Sequence, residues 1–493
     1  MARAKGALTA AIGLAVGWGL AGEPAETVLG EGVNAAFSPD GKRIAFQRLV
    51  DREMRLGVMD LANGSVIWVE NGCGMAGFPC WTPSGGLAYM FGNDYETSFQ
   101  ADRNKSKSCY GIWLWEDGVK RALTGGRCRD YTPAVTPDGK RVYFATTRWV
   151  RRTSKTYSTA STSMIGYVDV AGGEPVMAVD SPKGNNSGVC QPAVSPDGKH
   201  LVWGHLGDFS NGWRIFGSPL ADTSRAAWCP VTPMGLVATA PRWHPNGRLI
   251  CFTGFQKGDP GWGVWVEDVY RGTVKRLCSG QNPDFSPDGK WLVYDRDRRL
   301  YRRTFGAGDE PDTVLPEPAD DMRLPEKVLL RKEGPITSAV RIPVSDRKDL
   351  AFGTAQTFFV RVRVRWDGTE GLRHCVIGEY DEHALAFEIF LNKDLWFSSR
   401  NLHKEFKGAM TKLDMKPGEH VFTGIRTSDK FFVAVDGNAP GITGSDSRMA
   451  LDHPRTLVIA PDLHPGEAVL EVEVGTGWPT NVSKIRTRED LFK

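Results

Sequence analysis

Between residues 34 and 305 the chain alternates short apolar runs with a polar break that keeps the same composition each time. Six copies of the break occur: Phe37-Ser38-Pro39-Asp40-Gly41-Lys42, Trp81-Thr82-Pro83-Ser84-Gly85, Val135-Thr136-Pro137-Asp138-Gly139-Lys140, Val194-Ser195-Pro196-Asp197-Gly198-Lys199, Trp243-His244-Pro245-Asn246-Gly247-Arg248 and Phe285-Ser286-Pro287-Asp288-Gly289-Lys290. Proline presets φ for the first central position of a type I turn, Asp or Asn accepts the next, and glycine takes the left-handed conformation that closes a hairpin. The runs that follow, such as Arg43-Ile44-Ala45-Phe46, Arg141-Val142-Tyr143-Phe144 and His200-Leu201-Val202-Trp203, are rich in β-branched and aromatic residues and predict strands.

The turn glycines stand 42 to 59 residues apart. The shorter spacings suit four strands of ~5–6 residues joined by tight turns, so each repeat predicts one antiparallel blade. In the first, 56–61 and 65–69 supply the remaining strands; in the fifth, 263–269 and 273–277 do. The extra length of the longer repeats falls in polar loops at 92–109 and 148–163. A blade that is apolar on both faces is unstable alone, and six of them predict a closed, radially stacked propeller. The sixth is short of an outer strand after 300–305. Residues 26–30, crossing the ring, are favoured over 312–315 as its donor, because the edge would otherwise stay unpaired.

Beyond residue 325 the hairpin repeat stops and the strands lengthen. Phe358-Phe359-Val360-Arg361-Val362-Arg363-Val364-Arg365-Trp366 alternates strictly, which buries one face and leaves arginines on the other. Further strands are expected at 374–378, 385–391, 393–398, 420–426, 431–435, 456–460 and 468–474. The expected fold class is all-β, a six-bladed β-propeller followed by a β-sandwich.

The repeated Ser-Pro-Asp-Gly-Lys followed by an apolar strand resembles the WD-like propeller repeats of the TolB family over roughly 34–305. The resemblance implies the fold but no single activity, since such propellers serve as scaffolds, peptidase companions and sugar-processing enzymes. That family places an α/β domain ahead of its propeller, whereas here the first repeat follows the leader almost directly. Over 333–474 the strand order, with Gly418-Glu419-His420-Val421-Phe422 leading into Phe431-Phe432-Val433-Ala434-Val435-Asp436-Gly437, resembles the concanavalin A-like or laminin-G-like jelly roll. It implies a possible carbohydrate-binding module, although the tryptophan usual before the His-Val pair is replaced by Gly418 and Glu419. The expected organisation is a signal peptide at 1–21, the propeller at 26–305, a linker at 306–325 and the jelly roll at 326–493.

At 493 residues the chain exceeds one ordinary core. Arg3 and Lys5, the apolar stretch 7–20 and Gly19-Leu20-Ala21 make the leader an export signal, so a periplasmic or extracellular location is expected, with no membrane span in the mature chain. A net charge of +3 argues against a nucleic-acid partner, and the basic cluster Arg148, Arg151, Arg152 and Lys155 fits a solvated loop. Of nine cysteines, Cys73, Cys80, Cys109 and Cys128 are the expected pairing set, while Cys251 and Cys375 sit inside strand patterns as buried thiols.

No Gly-x-Ser-x-Gly elbow occurs, and Glu379-Tyr380-Asp381-Glu382-His383-Ala384 lacks the third carboxylate of a glucanase strand. His200, His205 and His244 are not clustered and no Cys-x-x-Cys exists, so no metal, cofactor or catalytic residue is assigned. Propellers bind at the rim of the central channel, where the residue before each first-strand proline should converge. Asn34, Thr132, Gln191 and Asn282 are the polar members of that set, beside Phe78 and Ala240, and Arg127 and Asp130 add charge nearby. Asn34, Arg127, Asp130, Thr132, Gln191 and Asn282 are therefore the candidate site for a protein or glycan ligand. Trp366 and Trp396 are candidate sugar stackers in the second domain, against a competing core role. The leading reading is a non-catalytic binding protein. The alternative is a polysaccharide-processing enzyme, a lyase or glycosidase type, drawing on His205, Arg127, Arg129 and Arg242 at the rim.

Overall fold

The computed structural model describes residues 26–51, 53–70, 74–92, 110–125, 128–149, 163–180, 188–206, 213–224, 227–233, 235–315, 326–350, 352, 357–368, 374–380, 385–391, 394–400, 406–412, 416–426, 430–437, 441–444, 455–482 and 488–492. The leader 1–21 lies outside them. Among the described residues no helix is long and apolar enough to cross a membrane.

Residues 26–304 form six antiparallel quartets of strands, the first two joined into one eight-stranded sheet by a parallel bridge Met54↔Met75. The first is Val33–Phe37, Arg43–Val50, Glu53–Asp60 and Val66–Glu70; the second Met75–Trp81, Leu87–Gly92, Tyr110–Glu116 and Val119–Ala122. The third is Asp130–Val135, Arg141–Thr146, Met164–Asp169 and Val176–Val179; the fourth Gly188–Val194, His200–Leu206, Trp213–Pro219 and Cys229–Pro230. The fifth is Leu236–Trp243, Leu249–Gln256, Gly263–Asp268 and Thr273–Ser279; the sixth Gln281–Phe285, Trp291–Arg296, Arg299–Thr304 and, as its outer member, Glu26–Glu31. Each first strand touches the first strand of the next quartet, and the sixth touches the first, so the circuit closes as a propeller.

The six breaks are the hairpins between first and second strands, and their chemistry repeats. In the first, Ser38 Oγ donates to Asp40 Oδ1 at 2.5 Å, the Gly41 amide to Ser38 O at 2.8 Å and the Lys42 amide to Asp40 Oδ1 at 3.0 Å. The turn glycines have φ between 68° and 91°, where a Cβ is costly. Four residues past the Lys or Arg that follows the turn glycine lies an aromatic in five of the six copies: Phe46, Phe144, Trp203, Phe252 and Tyr294 are fully buried. These are among the largest fully buried side chains of the described residues.

Closure comes from the strand 26–31, which pairs with Arg299–Thr304 in the register Glu26↔Arg303 to Glu31↔Arg299. Arg296 Nη2 meets Glu26 Oε1 at 2.7 Å and Tyr294 Oη also donates to Glu26. The competing segment finds another use, with Thr313 bridging Val274 on the outer strand of the fifth quartet. Arg303 Nη2–Asp309 Oδ1 at 2.5 Å and Lys275 Nζ–Asp312 Oδ2 at 3.2 Å fasten the same stretch. The first half of the expected linker is thus attached to the propeller, because its acidic residues meet Lys275 on the fifth quartet and Arg303 on the sixth.

Residues 326–482 form two six-stranded antiparallel sheets packed face to face. One runs Lys327–Ile336, Ala468–Thr476, Phe358–Trp366, Gly418–Arg426, Lys430–Val435, Gly441–Gly444; the other Val340–Pro343, Thr456–Asp462, His374–Tyr380, Leu385–Leu391, Asp394–Arg400, Phe406–Lys412. Phe358, Val360, Val362 and Val364 meet Phe387, Ile389 and Phe397 in one core. The arginines on the opposite face are neutralised rather than bare: Arg361 Nη2 reaches Glu326 Oε1 at 2.7 Å and also bonds Glu473, and Arg363 Nη1 reaches Glu419 Oε2 at 3.4 Å.

Starting the chain at Gly32 instead of Glu26 removes the closing strand and exposes the edge of Arg299–Thr304. The expected loss is about 3 kcal/mol, or roughly 6–12 °C in Tm, seen in thermal melts of the two forms. Equal melting temperatures would contradict closure by this strand.

Candidate functional site

Each first strand carries one extra residue. The ladders with the second strands shift register between Val33 and Ala36, Gly77 and Cys80, Tyr131 and Ala134, Cys190 and Ala193, Thr239 and Arg242, and Gln281 and Asp284. At the bulge sit Asn34, Phe78, Thr132, Gln191, Ala240 and Asn282, all with φ between 50° and 53°. A left-handed non-glycine residue costs ~1–2 kcal/mol, and a bulge re-aims the strand. The bulge also takes the residue's amide out of its own ladder.

Neighbouring quartets accept most of these amides. Asp295 Oδ2 accepts Asn34 N at 3.0 Å, Gln47 Oε1 accepts Phe78 N at 3.0 Å, Thr132 Oγ1 accepts Gln191 N at 3.3 Å, Gln191 Oε1 accepts Ala240 N at 3.0 Å, and Thr253 Oγ1 accepts Asn282 N at 2.7 Å. Asn34 Nδ2 donates to Gln47 Oε1 at 2.5 Å, Asn282 Nδ2 to Asp295 Oδ2 at 2.9 Å, and Thr239 Oγ1 to Gln191 Oε1. The structure therefore brings Asn34, Thr132, Gln191 and Asn282 together around one axis and gives each a partner in the wall.

Together with Phe78, Ala240 and Arg242 these four line an axial cavity of about 20 Å³. That is room for one or two waters, not for a sugar ring or a peptide. Two residues further along the six first strands stand Ala36, Cys80, Ala134, Ala193, Arg242 and Asp284, of which Arg242 lines the cavity. Small side chains fill most of this tier and the charged pair is confined to adjacent quartets. Burial pushes the Asp284 carboxyl up to about 6 against the pull of Arg242 and the Phe37 amide, which bonds Oδ2 at 2.8 Å. Burial also raises Asp295 to about 6, opposed by its bonds from Asn34 and Asn282.

The other predicted residues are placed differently. Asp130, expected to be open, is fully buried: Oδ1 accepts Thr146 Oγ1 at 2.6 Å, and Oδ2 accepts Thr124 Oγ1 at 2.6 Å and pairs with Arg148 Nη2 at 2.6 Å. It ties the second quartet to the third. Arg127 lies outside the described residues, as do Cys73 and Cys109. Cys80 is a thiol whose Sγ accepts Val135 N at 3.4 Å, and Cys251 and Cys375 are buried thiols. His205 packs between Phe216 and Trp228, at 4.8 and 5.8 Å, and does not line the axial cavity. Trp366 is buried in the two-sheet core, whereas Trp396 stays half-buried and stacks on Phe390 at 6.0 Å.

One residue at the ring end of the sheets was missed. Trp262, 42% exposed, precedes the third strand of the fifth quartet, and its carbonyl accepts Gly280 N at 3.2 Å, two residues before Asn282. Its ring lies 6.0 Å from Phe255. The available signal was an aromatic inside a turn, Asp259-Pro260-Gly261-Trp262-Gly263, where no strand face calls for one.

Replacing Gln191 by Ala strips the acceptor from the Ala240 amide and is expected to cost roughly 1–3 kcal/mol in denaturant unfolding. Ala240→Gly relieves a left-handed Cβ and is expected to gain about 0.5–1 kcal/mol; a loss instead would show that φ at this site is not what limits it. The raised carboxyls set a pH slope. Asp284 and Asp295 hold protons in the folded chain that the unfolded chain releases above the usual 3.8, so stability falls as pH climbs from about 4 to about 6. Asp284→Asn should flatten that slope, and an unchanged slope would assign the titration elsewhere.

No family model matches the chain. A curated relative, an uncharacterized peptidase of Bacillus subtilis (strain 168), is 28% identical over 205 residues, 40% of this chain and 26% of that protein, so the chain spans about a quarter of that relative's length. Among solved structures, TolB from Acinetobacter baumannii is similar at 17% identity and a TM-score of 0.39, over 56% of this chain and 64% of that one. Oligogalacturonate lyase from Vibrio parahaemolyticus is similar at 12% identity and a TM-score of 0.38, over 58% and 94%.

Proposed function

We propose that this chain is an exported, non-catalytic binding protein, a six-bladed propeller carrying a jelly roll, with its ligand on the open face above the axial ring. The observation that carries this reading is the division of labour at the axis. The polar ring is spent on bonds between quartets and its cavity has a volume of about 20 Å³, so a peptide or glycan has to lie across the mouth. Trp262 stands at that end with its ring partly open, which suits stacking on a sugar or on an apolar side chain. The jelly roll is proposed as a carbohydrate- or surface-contact module, in which half-buried Trp396 is a better placed stacker than Trp366.

A second reading, a polysaccharide-processing enzyme working at the rim, is favoured by one feature. Arg242 brings a cation to the axial cavity, beside Asp284, where an acidic sugar chain would be attracted. Its difficulty is geometric, since the same cavity admits no ring.

A glycan array screened with the full chain separates the two. Binding without turnover is expected, and Trp262→Ala should weaken the best hit at least tenfold, about 1.4 kcal/mol. Release of unsaturated sugars from a polyuronate would replace the binding reading with the lyase.

A further inference from the structure

The segment Arg488–Leu491, a single helical turn, and Phe492 after it lie in a groove between the fourth and fifth quartets. Leu491 and Phe492 are each 5% exposed, among Val202, Val231, Ile250 and Val269. The Phe492 ring lies 5.1 Å from His200, 6.0 Å from Trp243 and 5.7 Å from Tyr270, and His200 Nε2 meets Leu491 O at 3.0 Å. Arg488 Nη1 stands 3.7 Å from Glu267, a fully buried carboxylate.

The groove is a departure from the repeat. The third-strand residue paired with the third residue of the second strand is Val58, Trp113, Tyr167, Gly217, Val266 and Arg302 in the six quartets. Only the fourth quartet has glycine, and Leu491 Cδ2 comes within 2.9 Å of where a Cβ on Gly217 would be. A second glycine, Gly272, with φ 68°, makes room for the guanidinium of Arg488, which would lie 2.0 Å from a Cβ there. Two separate glycines thus leave space for the arginine and the leucine of one short segment.

The other end of this tether belongs to the two-sheet unit. Trp478 and Val482 pack with Phe359, Ile425, Phe432 and Ala434, six residues before Arg488. We propose that the groove is a peptide-docking site for a helical Arg-x-x-Leu-Phe turn, and that 488–492 is an intramolecular latch, exchangeable with the same motif supplied in trans, that holds the two-sheet unit on the propeller. The gain from burying two apolar side chains is offset in part by the cost of ordering the segment, which suits a latch that opens.

The test uses a labelled synthetic peptide of residues 486–493 and the full chain. Wild type, with its groove filled, should take up the peptide at least tenfold more weakly than Leu491→Asp/Phe492→Asp, in which the groove is vacated. Adding Gly217→Leu to that variant should abolish uptake, and Arg488→Ala alone should give an intermediate affinity. Amide exchange of 490–492 in the unmodified protein reads the latch without any substitution, and slowed exchange is expected. Rapid exchange there, or no uptake by a vacated variant that melts like wild type, overturns the proposal. A wild-type dimer that the double substitution converts to monomer also overturns it, in favour of exchange between two copies.

Discussion

The propeller depends on a backbone residue that cannot be satisfied within its own quartet. Each first strand inserts one left-handed residue, and that residue's amide leaves the ladder. A buried amide without a partner costs as much as a hydrogen bond is worth several times over, so an acceptor has to arrive from outside. In five quartets it arrives from the preceding quartet, through Asp295, Gln47, Thr132, Gln191 or Thr253. The ring is therefore a chain of mutual dependence. These five quartets are incomplete until the preceding neighbour is in place, which is a physical reason for the circuit to close.

The same constraint explains why polar residues near the axis are poor indicators of a ligand. An acceptor that caps a neighbour and a side chain that reads a sugar look alike in sequence. Here the carboxylates most displaced from their usual range, Asp284 and Asp295, both bind amides of the first quartet. Their raised pKa reflects burial in the wall. The departures from the repeat lie elsewhere, at half-exposed Trp262 at the end of the fifth quartet and at Gly217 and Gly272 on the flank.

The two-sheet unit uses a different device. Its long alternating strand would present a row of arginines, and like charges in a row repel. Glu473 and Glu419 on the flanking strands and Glu326 just before Lys327 face them, so the exposed surface becomes a lattice of ion pairs and not a basic patch. On the same sheet His420 donates from Nδ1 to Asp436 Oδ2 at 2.7 Å and from Nε2 to the Lys416 carbonyl at 2.8 Å; burial opposes its charged form, but these two acceptors outweigh it and raise its pKa. The Asp-Gly turn after Phe431–Val435 is thereby pinned to the neighbouring strand, where Asp436 Oδ1 also accepts Val421 N at 2.8 Å.

The sequence by itself determined the six hairpins, the strands after them, the donor of the closing strand and the residues that meet at the axis, because turn chemistry and alternation are local and repeat with the chain. Only the tertiary structure decided what those residues do once they meet. Thr132 and Gln191 cap neighbours some 50 to 60 positions away, Asp130 is enclosed by Thr124, Thr146 and Arg148, and 306–315 leans on the fifth quartet instead of spanning a gap. The latch groove was equally hidden: a glycine in one strand gains meaning only when a leucine 274 positions later comes to rest against it. Such partners are chosen by how the quartets pack on one another and how the C-terminal segment packs on them, events that carry no local signature.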